Sequence, residues 1–345
     1  MLNWKEIMML TMPRVRALAA SAAVLALAST GVASAQTTLI FHHDLPEDSA
    51  QHQGALHFKE LIEERTDGAY VVDIYPNNEL GDDTEVIQQM QGGSVHMAPI
   101  PTAKLSGVEP AMQLADLPFL FPSPEVTYEF LDGEVGDRLL EMMSARGFYG
   151  VGFWESGFKQ MTCNARIEEP DDFRGKDVRV MESRLLIEQF RALGANAIPI
   201  AFSETYSALQ QGVADCQENP IVSIAKMRFH EVQDYMVLSD HGYLGTAFLY
   251  SQVWFETLPP EHQEIFRETA LEAGAYQREV SASEQDRYLE EIRDYGSVEI
   301  YTLTDEQREA FEAAMRPVHD SFRDEIGGDL MDMAYEELER LSEQL

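Results

Sequence analysis

The sequence predicts an α/β fold built as two similar lobes. Strand, helix and strand alternate along the chain, the order that yields sheets covered by helices. One strand–helix–Gly–strand unit occurs near residue 80 and again near residue 200, one copy in each half. The 345 residues also exceed what one ordinary hydrophobic core organises, which suggests two domains.

The first segment lies outside that fold. Arg14 and Arg16 precede an uncharged Ala/Leu-rich stretch, residues 17–32, and Ala33-Ser34-Ala35 has the small-x-small pattern of a signal-peptidase site. Residues 1–35 therefore read as a secretory signal peptide, with Gln36 as the mature start and Met12 as a second candidate for the start codon. The rival reading is a retained anchor, since the uncharged run 17–35 is just long enough to span a bilayer. That run is rich in Ala, Ser and Thr rather than Leu, and no later stretch could cross. The mature protein is expected to be soluble and periplasmic.

Leu39-Ile40-Phe41 then opens the fold as a strand. Ala55, Phe58, Leu61 and Ile62 recur at helical spacing, and Thr66-Asp67-Gly68 stops that helix. Tyr70-Val71-Val72-Asp73-Ile74-Tyr75 is a second strand. The first copy of the repeated unit is the turn Leu80-Gly81-Asp82-Asp83-Thr84, a helix through Val86, Ile87 and Met90, a stop at Gly92-Gly93, and the strand Val95-His96-Met97-Ala98. The second is Ile200-Ala201-Phe202-Ser203, a helix through Tyr206 and Leu209, a stop at Gly212, and Val213-Ala214-Asp215-Cys216. Ser203 is expected to cap its helix, and Gly92 and Gly212 to take the left-handed position at a helix end.

Between the copies, Pro170-Asp171-Asp172-Phe173 makes a turn closed at Gly175, and Val178-Arg179-Val180 is a strand. Leu185, Leu186, Gln189, Phe190 and Leu193 line a helix closed by Gly194, and Ile198-Pro199-Ile200 is the next strand. Side chains alternate along a strand, so Arg179 points away from the side carrying Val178 and Val180. A guanidinium in an apolar strand needs a partner. The residues leave two open: an internal Asp or Glu, or the carboxylate of a ligand. From Pro260 onward the chain is helical, with amphipathic segments around 265–276, 288–292 and 311–315 that read as packing and hinge-bracing helices.

Hydrophobic residues make up 45% and aromatics 10%, a globular rather than a disordered composition. The formal net charge of −35 repels nucleic acid and anionic lipid, so no nucleic-acid partner is expected. It reads first as a solvated acidic coat. Salt screens such a coat within about 8 Å at 0.15 M, so a few basic groups in a cleft can dominate locally. Cys163 and Cys216 lie in strand-like segments of one lobe. An oxidising compartment allows a bridge, but the pair reads first as two buried free thiols.

No motif for chemistry emerges. There is no Gly-rich phosphate loop, no His-Glu-x-x-His helix and no Gly-x-Ser-x-Gly elbow. His42, His43, His52 and His57 cluster in sequence, but His52 and His57 do not share a helical face well, and the four read as surface or cleft histidines rather than a metal site. Carboxylate pairs are too common in so acidic a chain to single out an acid/base pair. The residues favour a binding protein without cofactor or metal over an enzyme.

From Arg179 onward the sequence becomes specific. Asp177-Val178-Arg179-Val180, then Phe190-Arg191-Ala192-Leu193-Gly194-Ala195-Asn196, then Pro199-Ile200-Ala201-Phe202-Ser203-Glu204-Thr205-Tyr206 and Gln211-Gly212-Val213-Ala214-Asp215-Cys216-Gln217-Glu218-Asn219-Pro220 resemble the extracytoplasmic solute-binding subunit of tripartite ATP-independent periplasmic (TRAP) transporters, of the DctP type. Leu80-Gly81-Asp82-Asp83, Leu117-Pro118-Phe119 and Trp154-Glu155-Ser156-Gly157-Phe158-Lys159-Gln160 fit as well, so the resemblance covers nearly the whole mature chain.

The resemblance implies a periplasmic-binding-protein-like fold: two α/β lobes joined by hinge strands, with a long helix spanning both. Residues 36–156 plus 245–284 would form lobe I and 157–244 plus 285–345 lobe II. It implies a monomer that closes on a small organic anion and presents the closed form to the TRAP membrane permease subunits. Arg179 is implied to pair with the ligand carboxylate, Asn219 to support it, Lys159 to act as a second basic group and Phe202 as a cleft aromatic. Asp83 and Thr102 match cleft-lining regions of the first lobe, Asp44 falls on the loop after the first strand, and Tyr243 lies in His241-Gly242-Tyr243-Leu244-Gly245. That run, with Gly157-Phe158-Lys159-Gln160, looks like the C4-dicarboxylate branch and favours succinate, fumarate or malate. The sequence departs from the family pattern at Cys216, where Gly is usual, and at Lys159, which in place of Arg lacks the bidentate fork. The rival functions are an exported enzyme acting on small carboxylic acids and a ligand-binding subunit feeding a sensor.

Overall fold

The computed structural model describes residues 36–345, so the predicted signal peptide lies outside the described residues. Thr38–Leu345 forms one compact unit. Ten strands run through it: β1 (Thr37–His42), β2 (Tyr70–Tyr75), β3 (Met97–Pro101), β4 (Phe148–Cys163), β5 (Asp177–Val180), β6 (Asn196–Pro199), β7 (Cys216–Pro220), β8 (Tyr235–Leu238), β9 (Tyr243–Ser251) and β10 (Glu299–Thr302). The helices are α1 (Ala50–Arg65), α2 (Asp83–Gln91), α3 (Thr102–Leu105), α4 (Pro124–Leu131), α5 (Glu134–Ser144), α6 (Arg184–Ala192), α7 (Thr205–Gln210), α8 (Ile221–Lys226), α9 (Gln252–Phe255), α10 (Pro260–Tyr295), α11 (Asp305–Met315), α12 (Pro317–Ile326) and α13 (Gly328–Gln344).

The sheet order is β2-β1-β3-β9-β4-β7-β5-β6, with β8 against β4 and β10 against β8. β4 connects the two halves of this array. Its residues 148–158 pair antiparallel with β9, and its residues 159–163 pair antiparallel with β7. The crossing is marked by a register shift between Glu155 and Gly157, where Gly157 takes φ +112°, a conformation that a Cβ would strain. On one side of the crossing β1 and β3 run parallel; on the other β5 is parallel to both β6 and β7. The carboxyl ends of parallel strands are where α/β sheets bind ligands.

One large apolar cluster runs through both halves, from Ile100 and Phe148 to Val178 and Phe190, and two smaller ones flank it. Phe41, Phe58, Trp154, Phe248, Tyr250 and Phe266 form an aromatic core under α1 and α10, with Phe41 edge-on to Phe58 at 5.6 Å. On the other side Leu45, Phe202, Leu209, Ile224 and Phe229 pack with Tyr288 and Ile292 of α10. The segments 265–276 and 288–292 are thus one uninterrupted 36-residue helix, opened by Pro260 and closed by Gly296 in the left-handed region. α10 lies close to its neighbours where a Cβ is missing on either side: one on Gly54 of α1 would sit 2.8 Å from the Gln277 side chain, and one on Gly274 of α10 itself 2.8 Å from Trp154 Nε1. Gln277 locks the contact, its amide nitrogen donating to the Glu155 carbonyl (2.8 Å) and its oxygen accepting the Glu155 N–H (3.0 Å).

Several local expectations shift by a residue or change role. Gly93, not Gly92, takes the positive φ after α2 (+79° against −82°). Ser203 does not cap a helix; it lies in a 3₁₀ turn and donates its hydroxyl to Asp82 Oδ2 at 2.9 Å. The strand expected over 213–216 begins only at Cys216, because Asp215 is turned to β5: its N–H donates to the Asp177 carbonyl (2.7 Å) and its carboxylate accepts from the Asp177 N–H (3.0 Å). The cysteines are not free thiols. β4 and β7 set Cys163 directly opposite Cys216 in the antiparallel register, with Cα atoms 4.0 Å apart, and the two are bridged.

Candidate functional site

β5 carries Arg179 into the interior between the buried Val178 and Val180. The guanidinium is wholly shielded from solvent. Its Nε and Nη2 donate to one main-chain oxygen, the Ile200 carbonyl, at 3.0 and 2.8 Å. Nη1 is buried and has no partner among the described residues. Phe202 lies under the group, 5.9 Å from ring centre to guanidinium carbon, within cation–π range. Burial pulls the pKa down to about 10, opposed by the charges of Glu182, Glu218 and Asp82, so the group stays cationic near neutral pH. Among the described residues no carboxylate forms an ion pair with it. Of the two partners left open by the sequence, the internal acid is not found among the described residues.

Lys159 is equally buried, but on the opposite sheet face. Arg179 registers with Gln217 in β7 and Lys159 with Pro220, three residues on, so alternation sends the two side chains to different sides. There Lys159 Nζ lies 3.0 Å from Glu218 Oε1, while His241 Nε2 lies 2.7 Å from Glu218 Oε2 and Gln189 donates to the same oxygen at 3.3 Å. Burial alone would raise the Glu218 pKa; Lys159 and His241 outweigh it and hold the carboxylate at about 2. Asp116, also fully buried nearby, has neither oxygen hydrogen-bonded. Thr102 faces it but donates its hydroxyl to the Gly245 carbonyl at 3.3 Å. Burial therefore pushes Asp116 up to about 7 despite the Lys159 charge.

Asn219 shares the face of Arg179 and donates to Gln217 Oε1 at 2.6 Å; Gln217 in turn donates to Thr162, and Thr162 to Gln233. This amide ladder fixes the orientation of Asn219 at the carboxyl end of β7. From the other half of the array, Asp44 follows the end of β1, Thr102 follows β3, and Asp83 is the first residue of α2. Two contacts bring these segments against the Arg179 side: Asp82 to Ser203, and the buried Lys104 to Glu182. Tyr243 is placed apart, its hydroxyl donating to Glu155 Oε2 at 3.2 Å beside Tyr128.

The family model for bacterial extracellular solute-binding proteins of family 7, DctP, matches residues 41–325. The chain belongs to the DctP family of TRAP periplasmic solute-binding proteins. It is 36% identical over 311 residues to the C4-dicarboxylate-binding periplasmic protein DctP of Rhodobacter capsulatus, covering 89% of this chain and 93% of that protein. A TRAP periplasmic solute-binding protein from Sulfurospirillum deleyianum with bound succinate superposes with a TM-score of 0.84 at 36% identity, covering 87% of this chain and 99% of that one. A sugar acid binding protein from Advenella mimigardefordensis in complex with galactonate superposes with a TM-score of 0.86 at 31% identity, covering 89% and 99%.

This DctP protein thus has the α/β fold of the TRAP binding proteins, with α10 as its long helix, and belongs to a family that binds small organic acids rather than transforming them. Arg179 and Lys159 are two buried cations of its sheet array, one neutralised from within and one not. Sequence reasoning had no role for Glu218, His241, Asp116 or Lys104. Glu218 stood in the Gln217-Glu218-Asn219 run, and only the β4–β7 pairing reveals that it faces Lys159. A surface groove of about 310 Å³ beside α10, lined by Phe153, Leu271 and Arg278, lies apart from Arg179.

Proposed function

We propose that the protein captures a small organic acid by pairing its carboxylate with Arg179, and that a C4-dicarboxylate such as succinate, fumarate or malate is the first class to test. The observation that carries this reading is the free Nη1 of a fully buried guanidinium with no internal acid. A carboxylate reaching it gains a charge-assisted hydrogen bond in a water-poor setting. Asn219, held by its amide ladder, sits at the end of the neighbouring strand to orient that carboxylate. Lys159 has given one hydrogen bond to Glu218 and keeps two further donors, so it contributes to the field more than to direct grip.

Residues 36–156 plus 245–284 and 157–244 plus 285–345 act as the two closing lobes in this reading, and the permease subunits of the transporter receive the closed form. Asp82–Ser203 and Lys104–Glu182 are contacts of that closed state. Closure is a population shift that the ligand drives by binding the closed form better.

Titration calorimetry tests the anchor. Arg179→Ala leaves a desolvated ligand carboxylate unpaired, at a cost of about 3–5 kcal/mol, or roughly 10²–10³-fold or more in Kd. Wild-type affinity in that variant would remove Arg179 from the site.

A further inference from the structure

We infer that Thr162, Gln217 and Gln233 are positioning residues for the bound acid: a one-way hydrogen-bond relay that starts on main-chain carbonyls and ends on Asn219, so that this amide presents an N–H rather than an oxygen to the ligand carboxylate. The inference rests on Arg179 and Asn219 as the carboxylate grip and concerns what stands behind them.

The relay lies on one face of the sheet. Thr162 of β4 is directly opposite Gln217 of β7, and Gln217 is in register with Arg179 of β5, so the three side chains share a face. Asn219 follows two residues on, on that same face. Gln233 comes from the segment before β8, whose Met236 pairs with Thr162. All five side chains are buried.

The direction of the relay is forced from the Gln233 end. Its Nε2 is surrounded by three oxygens: the Val232 carbonyl at 3.1 Å, the Asp215 carbonyl at 3.3 Å and Asn164 Oδ1 at 3.0 Å. Two of the three belong to the main chain and cannot turn away, so the amide keeps its nitrogen there and its oxygen toward Thr162. Thr162 donates its single hydroxyl proton to Gln233 Oε1 at 2.9 Å, which leaves the hydroxyl oxygen to accept from Gln217 Nε2 at 2.8 Å. Gln217 Oε1 is thereby turned to Asn219 and accepts from its Nδ2 at 2.6 Å. A flipped Asn219 would press two acceptor oxygens together. Nδ2 is therefore held in place, and one of its two N–H groups remains for a ligand oxygen.

Both ends of the relay refer to the strand that carries Arg179. The Asp215 carbonyl that orients Gln233 belongs to a residue whose own N–H donates to the Asp177 carbonyl at 2.7 Å, two residues before Arg179 in β5. Asn219 is thus aligned with the guanidinium by a series of fixed polar contacts and not by its own rotamer alone. Replacing both partners of a buried hydrogen bond by apolar groups of the same shape is nearly neutral for stability, so the fold itself does not need this face to be polar. A grip that must offer a donor at one fixed place does.

Titration calorimetry with succinate, malate and galactonate as probes tests the relay through a double-mutant cycle. Thr162→Val keeps the shape and removes the hydroxyl; it is expected to weaken the tightest-binding probe about 5- to 10-fold. In an Asn219→Ala background the same substitution is expected to change affinity less than about 2-fold, because no amide is left to orient. Thr162→Ser, which restores the hydroxyl, is expected to return the affinity of wild type. Equal losses from Thr162→Val in both backgrounds, or no loss in either, overturn the relay and leave Arg179 and Asn219 untouched. A Thr162→Ser variant as weak as Thr162→Val overturns it too. Should Thr162→Val fail to fold, Gln233→Met runs the same cycle from the far end, with the same two outcomes. If no probe binds the wild type, or Arg179→Ala binds as before, the anchor fails and the relay with it.

Discussion

Arg179 and Lys159 are both fully buried cations of the same array, separated by one strand, and they are treated in opposite ways. Lys159 meets Glu218, which is held further by His241 and Gln189. Arg179 meets a carbonyl oxygen and an aromatic face, and one of its nitrogens meets nothing. A buried charge is costly unless paired. On one face the protein supplies its own counter-ion. The face where it supplies none is where a counter-ion from outside is worth most.

The largest expected effect breaks the paired side. Glu218→Ala leaves the Lys159 ammonium buried without a carboxylate, and should lower stability by about 3–5 kcal/mol in urea unfolding. A loss under 1 kcal/mol would mean that Lys159 reaches water. Next comes the bridge that staples the same face, since Cys163 and Cys216 alternate with Lys159 and Glu218 onto one side of β4 and β7. Cys163→Ala with Cys216→Ala should cost about 2–4 kcal/mol, and reduction of the wild type should lower its Tm in step.

Smaller still is Asp116. Its folded carboxyl titrates at about 7 and its unfolded one near 3.8, so between those values the folded state holds a proton that the unfolded state has lost. Stability from this group therefore falls as pH rises from 3.8 to 7 and stays lowered above. Asp116→Asn should remove that slope, so that urea unfolding shows the variant gaining on the wild type at pH 8 relative to pH 4. Glu218 runs the other way: its contribution is present above 4.5 and is lost as pH falls through about 2. The smallest effect separates the two cations directly. Arg179→Met removes an unpaired buried charge, so the ligand-free protein should hold its stability or gain about 1 kcal/mol. A loss as large as that of Glu218→Ala would reveal an internal partner.

Much of this was legible before any coordinates. Arg179 announced itself as a charge inside Val178-Arg179-Val180, and the periodicity of Ala55, Phe58 and Ile62 is the buried stripe of α1. What failed to show were relations between distant segments. The Ile200 carbonyl is a main-chain group with no sequence signature, and Glu218 becomes the partner of Lys159 only through the antiparallel register of β4 and β7. The same register, not any motif, joins the cysteines. Ser203 looked like a cap because serine usually serves that role; its hydroxyl went instead to Asp82, a contact that exists only once the two halves of the array meet.

The amide exchange between Gln277 and Glu155 bears on how the molecule can move. Two opposed hydrogen bonds hold the middle of α10 to β4, close to the register shift where that strand changes sheet neighbours. The helix is held on either side of that point as well, by Tyr250 donating to the Phe266 carbonyl on one side and by Tyr288, Ile292 and the Lys226–Glu291 pair on the other. An opening of the protein would therefore be taken up between these two sets of anchors, in the stretch from Gln277 to Tyr288, rather than by sliding a helix of roughly 54 Å along β4.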